Sequence, residues 1–334
     1  MIILGIESTC DETAIALVKD GKTILAQAIA SSADIHAKYG GIFPELACRR
    51  HLEAILPLLH EALETAKITP DQIDAIAVAK GPGLVGALLV GMQTAKGLSL
   101  AWNKPLIGVN HVEAHLYAAM MEQETPLFPA LGLVLSGGHT LLLAIESLGK
   151  YRPLGTTVDD AIGEAFDKVA ILLGLPYPGG PHVERIARHG NPHRHPFRAG
   201  KVKKNPLDFS FSGIKTSVLY AIQGKNLLDT EKADIAASFQ EAVFTDLAGK
   251  TALALTHTPA QALYLGGGVC NNQRLRILFA EKFPHLPLFW PPALLSLDNA
   301  AMIGGLAYHK FLEREKRSDS LDLEVLPRIP IASF

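Results

Sequence analysis

Ile2-Ile3-Leu4-Gly5-Ile6-Glu7-Ser8-Thr9-Cys10-Asp11-Glu12-Thr13-Ala14-Ile15-Ala16-Leu17-Val18 reads as an apolar strand, a polar turn and a second apolar strand. Asp20-Gly21-Lys22 is then a turn into a third strand, Thr23 to Ala30. The pattern returns mid-chain: Ala130 to Leu135 is apolar, Ser136-Gly137-Gly138-His139-Thr140 is a tight polar turn, and Leu141 to Ile145 is apolar again. A third strand-and-turn, Ala262 to Leu265 followed by Gly266-Gly267-Gly268, leads into a helix expected over Asn271 to Glu281. Gly41 to Ala66, Leu84 to Ala101 and Ile235 to Leu255 carry apolar residues at helical spacing. Strand hairpins alternating with helices predict an α/β chain of two related lobes facing a central cleft.

The 334 residues suffice for two such lobes, and 48% hydrophobic content provides a large core. With 19% charged residues the chain is not of the disordered class. A formal net charge of −2 requires any nucleic-acid contact to rest on a local basic patch rather than a global field. Cys10, Cys48 and Cys270 are odd in number and far apart, which argues against a disulfide framework or a cysteine zinc site and fits a reducing cytoplasm. The N-terminal run has no basic segment of the secretory kind. Gly83 to Trp102 contains Lys96, Gln93, Thr94 and four glycines, so it reads as a buried helix rather than a membrane span.

His111-Val112-Glu113-Ala114-His115 places two imidazoles one helical turn apart, close enough to share a metal ion. In H-E-x-x-H peptidases the acid directly follows the first histidine. Here Val112 stands there and the acid is Glu113, so the pattern offers a metal site without the peptidase base. The three Gly/Ser/Thr turns expose backbone N–H groups with little side-chain obstruction and can cradle phosphate oxygens.

GIESTCDETAIAL from Gly5, GGIFPELACRRH from Gly40, GPGLVGALLVG from Gly81, HVEAHLYA from His111, LSGGHT from Leu135, DDAIGEAFDKVAILLGLPYPGGP from Asp159, DFSFSGIKT from Asp208, GGGVCNN from Gly266 and DNAAMIG from Asp298 run through the chain in order. On these strings the chain resembles the TsaD family (also Gcp or YgjD), bacterial tRNA adenosine threonylcarbamoyltransferases. The resemblance implies the two-lobed, duplicated fold of actin, hexokinase and heat-shock ATPases. The lobes are expected at 1–110 and 111–334, with an inserted helical and basic-loop region at 160–215 and a C-terminal segment, 300–334, packing back toward the first lobe. The implied reaction moves threonylcarbamoyl from threonylcarbamoyl-AMP to N6 of the adenosine beside the anticodon, in tRNAs reading codons that begin with A (t6A). A TsaB-like paralogue and a TsaE-like ATPase are the implied partners.

By the same resemblance His111, His115 and Asp298 hold one divalent metal ion per subunit, iron in preference to zinc. From its own surroundings Asp298 reads equally as a helix N-cap before an apolar run. Val134, Leu135, Ser136, Gly137, Gly138, Asp167, Gly180 and Asn272 match donor-contacting positions. Glu184 matches another, where many members carry Asp; the carboxylate is kept but reaches one methylene further. Asn272 opens a helix and can cap it or touch the base. Asp11 and Glu12 lie in a turn that would face phosphate, where two acids need a cation or a proton-transfer task; either can serve as general base toward the attacking amine. His139 flanks the donor turn.

Arg185, Arg188, Arg194, Arg198, Lys201, Lys203 and Lys204 stand with His189, His193 and His195 in a run without an acid. Glycine and proline make it a loop, and Phe197 is its one aromatic residue. It suits contact with the tRNA backbone, chiefly through Arg194, Arg198 and Lys201, rather than base stacking. Two other classes remain at this stage: a metallopeptidase built on HxxxH, and a non-catalytic scaffold like the TsaB paralogue.

Overall fold

The two hairpins quoted above open two sheets of the same topology. The structure, a computed structural model, describes residues 1–37, 39 and 41–329. Strands β1 (Ile2–Glu7), β2 (Glu12–Lys19) and β3 (Thr23–Ser31) form an antiparallel meander. Helices α1 (Ala33–Ala37) and α2 (Pro44–Ala66) follow, then β4 (Ala75–Gly81), α3 (Val85–Trp102), β5 (Leu106–Asn110) and α4 (His111–Met120). The sheet order is β3-β2-β1-β4-β5, with β4 parallel to β1 and β5 parallel to β4.

The second half repeats this plan. β6 (Ala130–Leu135), β7 (Thr140–Ser147) and β8 (Lys150–Thr156) form the meander; α5 (Ile162–Leu172), α6 (Gly179–Ala187), α7 (Ser212–Ile222) and α8 (Asp229–Leu255) form the crossover. β9 (Leu263–Gly266), α9 (Gln273–Lys282) and β10 (Leu288–Phe289) complete the order β10-β9-β6-β7-β8. β9 is parallel to β6 and β10 to β9. The chain ends with α10 (Ala293–Ser296) and α11 (Ala300–Glu313).

The chain divides into two units, 1–126 with 291–334, and 127–290. The lobe boundary expected at 110/111 therefore lies further on, at 126/127. The reason is α4: it continues directly from buried β5 and packs on α11, which belongs to the first unit. The segment from Asp319 also stays in the first unit, where Asp319 N–H bonds Leu106 O at 2.8 Å and Leu326 N–H bonds Lys80 O at 2.7 Å. Residues 330–334, the end of the expected returning segment, lie outside the described residues. The 160–215 region forms part of the β8–β9 crossover in the second unit.

β1 is apolar from Ile2 to Ile6 because both faces of its sheet are covered. Leu4 and Ile6 join a core with Ile55, Leu58 and Leu59 of α2 and Val90 of α3. The opposite face meets α11. There the backbones approach so closely that a Cβ on Gly5 would lie 2.2 Å from Ala300 O and 2.8 Å from Gly304 N. The second core is aromatic, with Phe166 packed on Phe239 and Phe244 at ring separations of 4.9 and 5.6 Å.

Helix starts follow local chemistry. The helix expected from Gly41 begins at Pro44, whose fixed φ and missing N–H suit the first helical position. The helix expected from Ile235 begins earlier, at Asp229.

Gly5→Ala is expected to lower the free energy of unfolding by about 1–3 kcal/mol, as overpacking does. Its urea midpoint should fall accordingly, and a parental midpoint would show that α11 can retreat from β1 without cost.

Candidate functional site

β5 delivers the chain straight into α4. Asn110 caps that helix, its Oδ1 accepting from Val112 N at 2.9 Å and Glu113 N at 3.2 Å. All ten residues of α4 are buried, including both histidines. The imidazoles lie edge to face with centroids 4.6 Å apart.

Asp298 reaches this pair from the start of α11. The N-cap there is Asn299, which accepts from Met302 N at 3.0 Å and donates to Leu295 O and Leu297 O at 3.1 and 2.8 Å. The cap reading of Asp298 is thereby displaced by one residue, and its carboxylate turns to the histidines. Oδ1 stands 3.1 Å from His115 Nε2 and 3.6 Å from His111 Nε2. One ligand atom from each of the three residues lies within 4.8 Å of the others. Four tetrahedral ligands at about 2.0–2.1 Å from an ion stand roughly 3.3 Å from one another. The 3.1 and 3.6 Å separations bracket that value, and two neutral nitrogens with one carboxylate suit iron or zinc. The three residues therefore fit a divalent cation.

Glu7 completes the arrangement from the end of β1. It is fully buried, with Oε2 2.9 Å from His111 Nδ1 and Oε1 accepting from Thr9 N at 2.6 Å. Thr9 Oγ1 is 3.3 Å from the same imidazole nitrogen. A carboxylate on Nδ1 keeps the proton there and leaves Nε2 toward Asp298. Burial works against a charge on His111, but Glu7 and Asp298 outweigh it and push the imidazole up to about 9. That shift favours the protonated imidazole, and a bound cation would compete with that proton. The sequence reading missed Glu7, although an acid ending a buried apolar strand is a signal that it has a partner.

The β1–β2 turn carries Asp11, and Glu12 opens β2 beside it. His51 of α2 braces it, with Nε2 3.1 Å from Cys10 O and Nδ1 2.8 Å from Thr13 Oγ1. Ser32 braces its other side, N–H and Oγ both donating to Asp11 O at 2.9 and 2.8 Å. Burial, then Asp298 and Asp11, push Glu12 up to about 10. That shift favours the protonated carboxyl. A cation beside Asp298 would relieve that repulsion. Burial and the same acids also raise Cys10 well above the ordinary thiol range.

The remaining candidates lie in the second unit. Val134 and Leu135 are buried in β6, while Gly137 and Gly138 are exposed. The turn closes on itself through Ser136 N–H to His139 O at 2.9 Å and His139 N–H to Ser136 Oγ at 3.1 Å. It presses against the first turn of α5, where a Cβ on Gly163 would lie 2.8 Å from Gly137 Cα. Asp167 Oδ1 accepts from Gly179 N at 2.7 Å, and Gly180 faces open space. Glu184 Oε1 accepts from Gln273 N at 3.1 Å and from Arg188 at 3.0 Å. Asn272 caps α9, accepting from Arg274 N at 2.9 Å and Leu275 N at 3.2 Å, and donates to Gln240 Oε1 at 2.7 Å. Its side chain forms the cap that one of its two readings gave.

The basic run starts in the last turn of α6, where Arg185 lies, and continues as a loop pinned to α8. Asn191 N–H bonds Asp234 Oδ1 at 2.7 Å and His195 N–H bonds Ser238 Oγ at 3.1 Å. Arg194, Arg198 and Lys201 are exposed, whereas Arg188 is paired with Glu184. Phe197 stacks on His195, with rings 9° from parallel.

Comparison with known proteins adds the family context. The sequence model of TsaD, tRNA N6-adenosine threonylcarbamoyltransferase, matches residues 23–305. A protein of that name from Protochlamydia amoebophila is 57% identical over 100% of this chain and 99% of its own length. Among solved structures, HypF from T. kodakarensis matches with TM-score 0.64 at 15% identity, covering 94% of this chain and 48% of HypF. The ROK hexokinase from Thermus thermophilus matches with TM-score 0.54 at 14% identity, covering 94% and 99%. These two likenesses concern the fold alone.

His111→Ala is expected to abolish metal retention. Glu7→Gln, which keeps shape but removes the charge that orients His111, should weaken metal affinity about 10- to 100-fold. Competition titration of the cation-free protein with zinc reads both, and parental affinity in Glu7→Gln would remove Glu7 from the site.

Proposed function

The chain belongs to the TsaD family of tRNA N6-adenosine threonylcarbamoyltransferases, and on that premise we propose that it transfers the threonylcarbamoyl group of threonylcarbamoyl-AMP to N6 of the adenosine beside the anticodon. Its tRNAs are those reading codons that begin with A. The observation that carries the metal-assisted form of this reading is the convergence of His111, His115 and Asp298.

In the proposed reaction the N6 amine attacks the carbamoyl carbon, the bond to AMP breaks, and the amine loses a proton. Asp11 and Glu12, side by side at the end of the β1–β2 turn, are the two carboxylates suited to take that proton. A divalent ion, iron in preference to zinc, would supply Lewis-acid polarisation and a template for the threonylcarbamoyl end. His111, His115 and Asp298 hold it, and Glu7 orients His111. In the second unit, the Ser136-Gly137-Gly138 turn offers the backbone N–H groups of its two exposed glycines to phosphate, and Val134 and Leu135 carry that turn. Asp167, Gly180, Glu184 and the Asn272 segment receive the nucleoside. Arg194, Arg198 and Lys201 bind the tRNA backbone. A TsaB-like paralogue and a TsaE-like ATPase assist, and the setting is the cytoplasm; among the described residues no helix is long and apolar enough to cross a membrane.

The peptidase reading of HxxxH loses its remaining acid, since Glu113 is engaged by Lys310 at 3.3 Å. The scaffold reading leaves a built ligand set without a task.

Reconstitution with threonylcarbamoyl-AMP, partners and unmodified tRNA, followed by nucleoside mass analysis, should yield t6A; no t6A would reject the donor assignment. Neutralising Arg194, Arg198 and Lys201 together should weaken cognate and non-cognate tRNA by similar factors. It should also reduce the slope of log K against log salt by about 2–3, one for each lost phosphate contact. An unchanged slope places the tRNA surface elsewhere.

A further inference from the structure

Glu113 lies midway between the two histidines of α4, and at about 100° per residue it points roughly opposite to both. It is fully buried, and so is nearly all of Lys310, whose Nζ stands 3.3 Å from Glu113 Oε2. Lys310 belongs to α11, the helix that begins just after Asp298. One turn further along α4, Tyr117 Oη stands 2.8 Å from His309 Nε2, also on α11, and donates to Gly21 O at 2.9 Å. Gly305 lets the helices approach there, since a Cβ on it would lie 2.7 Å from Tyr117 Cε1. Polar groups thus join α4 and α11 at two levels, ligand cluster on one side and Glu113–Lys310 with Tyr117–His309 on the other.

A buried ion pair is a poor way to gain stability. Replacing both partners by apolar groups is often neutral or better, whereas removing one strands a charge. What such a pair does is penalise every rotation or slide that separates its members. Two of the metal ligands ride on α4 and the third precedes α11, so any slide of one helix along the other carries Asp298 away from the histidines. We propose that Glu113 and Lys310 are positioning residues, a registration pair that holds α11 against α4 so that Asp298 stays opposite His111 and His115. This rests on reading the three-residue cluster as a metal centre.

The test uses full-length, cation-free protein titrated with cobalt(II), whose ligand-field absorption reports the geometry of its ligands. The apolar double variant E113M/K310M and the neutral pair E113Q/K310Q are compared with the charge swap E113K/K310E. In whichever double variants retain the parental unfolding transition, cobalt affinity should drop at least tenfold and the absorption bands should shift. The charge swap, which restores the pair, should recover much of the affinity. Parental affinity and spectrum in a folded double variant would overturn the registration role while leaving the metal centre standing. Failure of the parent protein to bind cobalt would overturn both.

Discussion

The backbone contact between β1 and α11 is the constraint on which the site depends. It exists because Gly5 has no side chain, and a single methyl there would fall inside the Ala300 carbonyl. β1 ends in Glu7, which holds His111; α11 begins beside Asp298, which faces both histidines. Strand and helix come from opposite ends of the sequence. Their contact converts three separate polar groups into one cluster, and α4 fits beside α11 as the third member.

The two units share strand order and sense but do different work with the same parts. In each, the loop after the fourth strand presses on the turn after the first. A Cβ on Gly83 would strike Thr9 O at 2.6 Å, and one on Gly267 would strike Leu135 O at 2.4 Å. What differs is the turn itself. The first is acidic, braced by His51 and Ser32, and lies next to groups suited to a cation. The second is small and Gly-rich, closed on itself and packed on the first turn of α5, which suits an anion.

Burial of charge recurs throughout the first unit, and each case has a partner close by. Glu7 faces His111 and Glu113 faces Lys310. Unpaired, each would cost several kcal/mol. The pairs explain how a helix as apolar in its surroundings as α4 can carry His, Glu and His within five residues.

Much of this protein was legible without coordinates. Alternating apolar runs and Gly/Ser/Thr turns announce strands and hairpins, because pleat and turn preferences act over a few residues. The spacing of His111 and His115 follows from helical geometry alone, and the basic run from Arg185 to Lys204 needs only counting. The rest required tertiary structure. That α4 belongs with the first unit depends on α11, nearly two hundred residues away in sequence. That Asn299, not Asp298, caps α11 depends on a one-residue choice that local pattern leaves open. Glu7 as the holder of His111, Asn272 as a cap bonded to Gln240, and Lys310 as the partner of Glu113 are all pairings between distant segments. Local sequence sets what a residue can do within its own turn of helix or strand, whereas the partner of a buried polar group is decided only when the packed elements leave it one neighbour to bond.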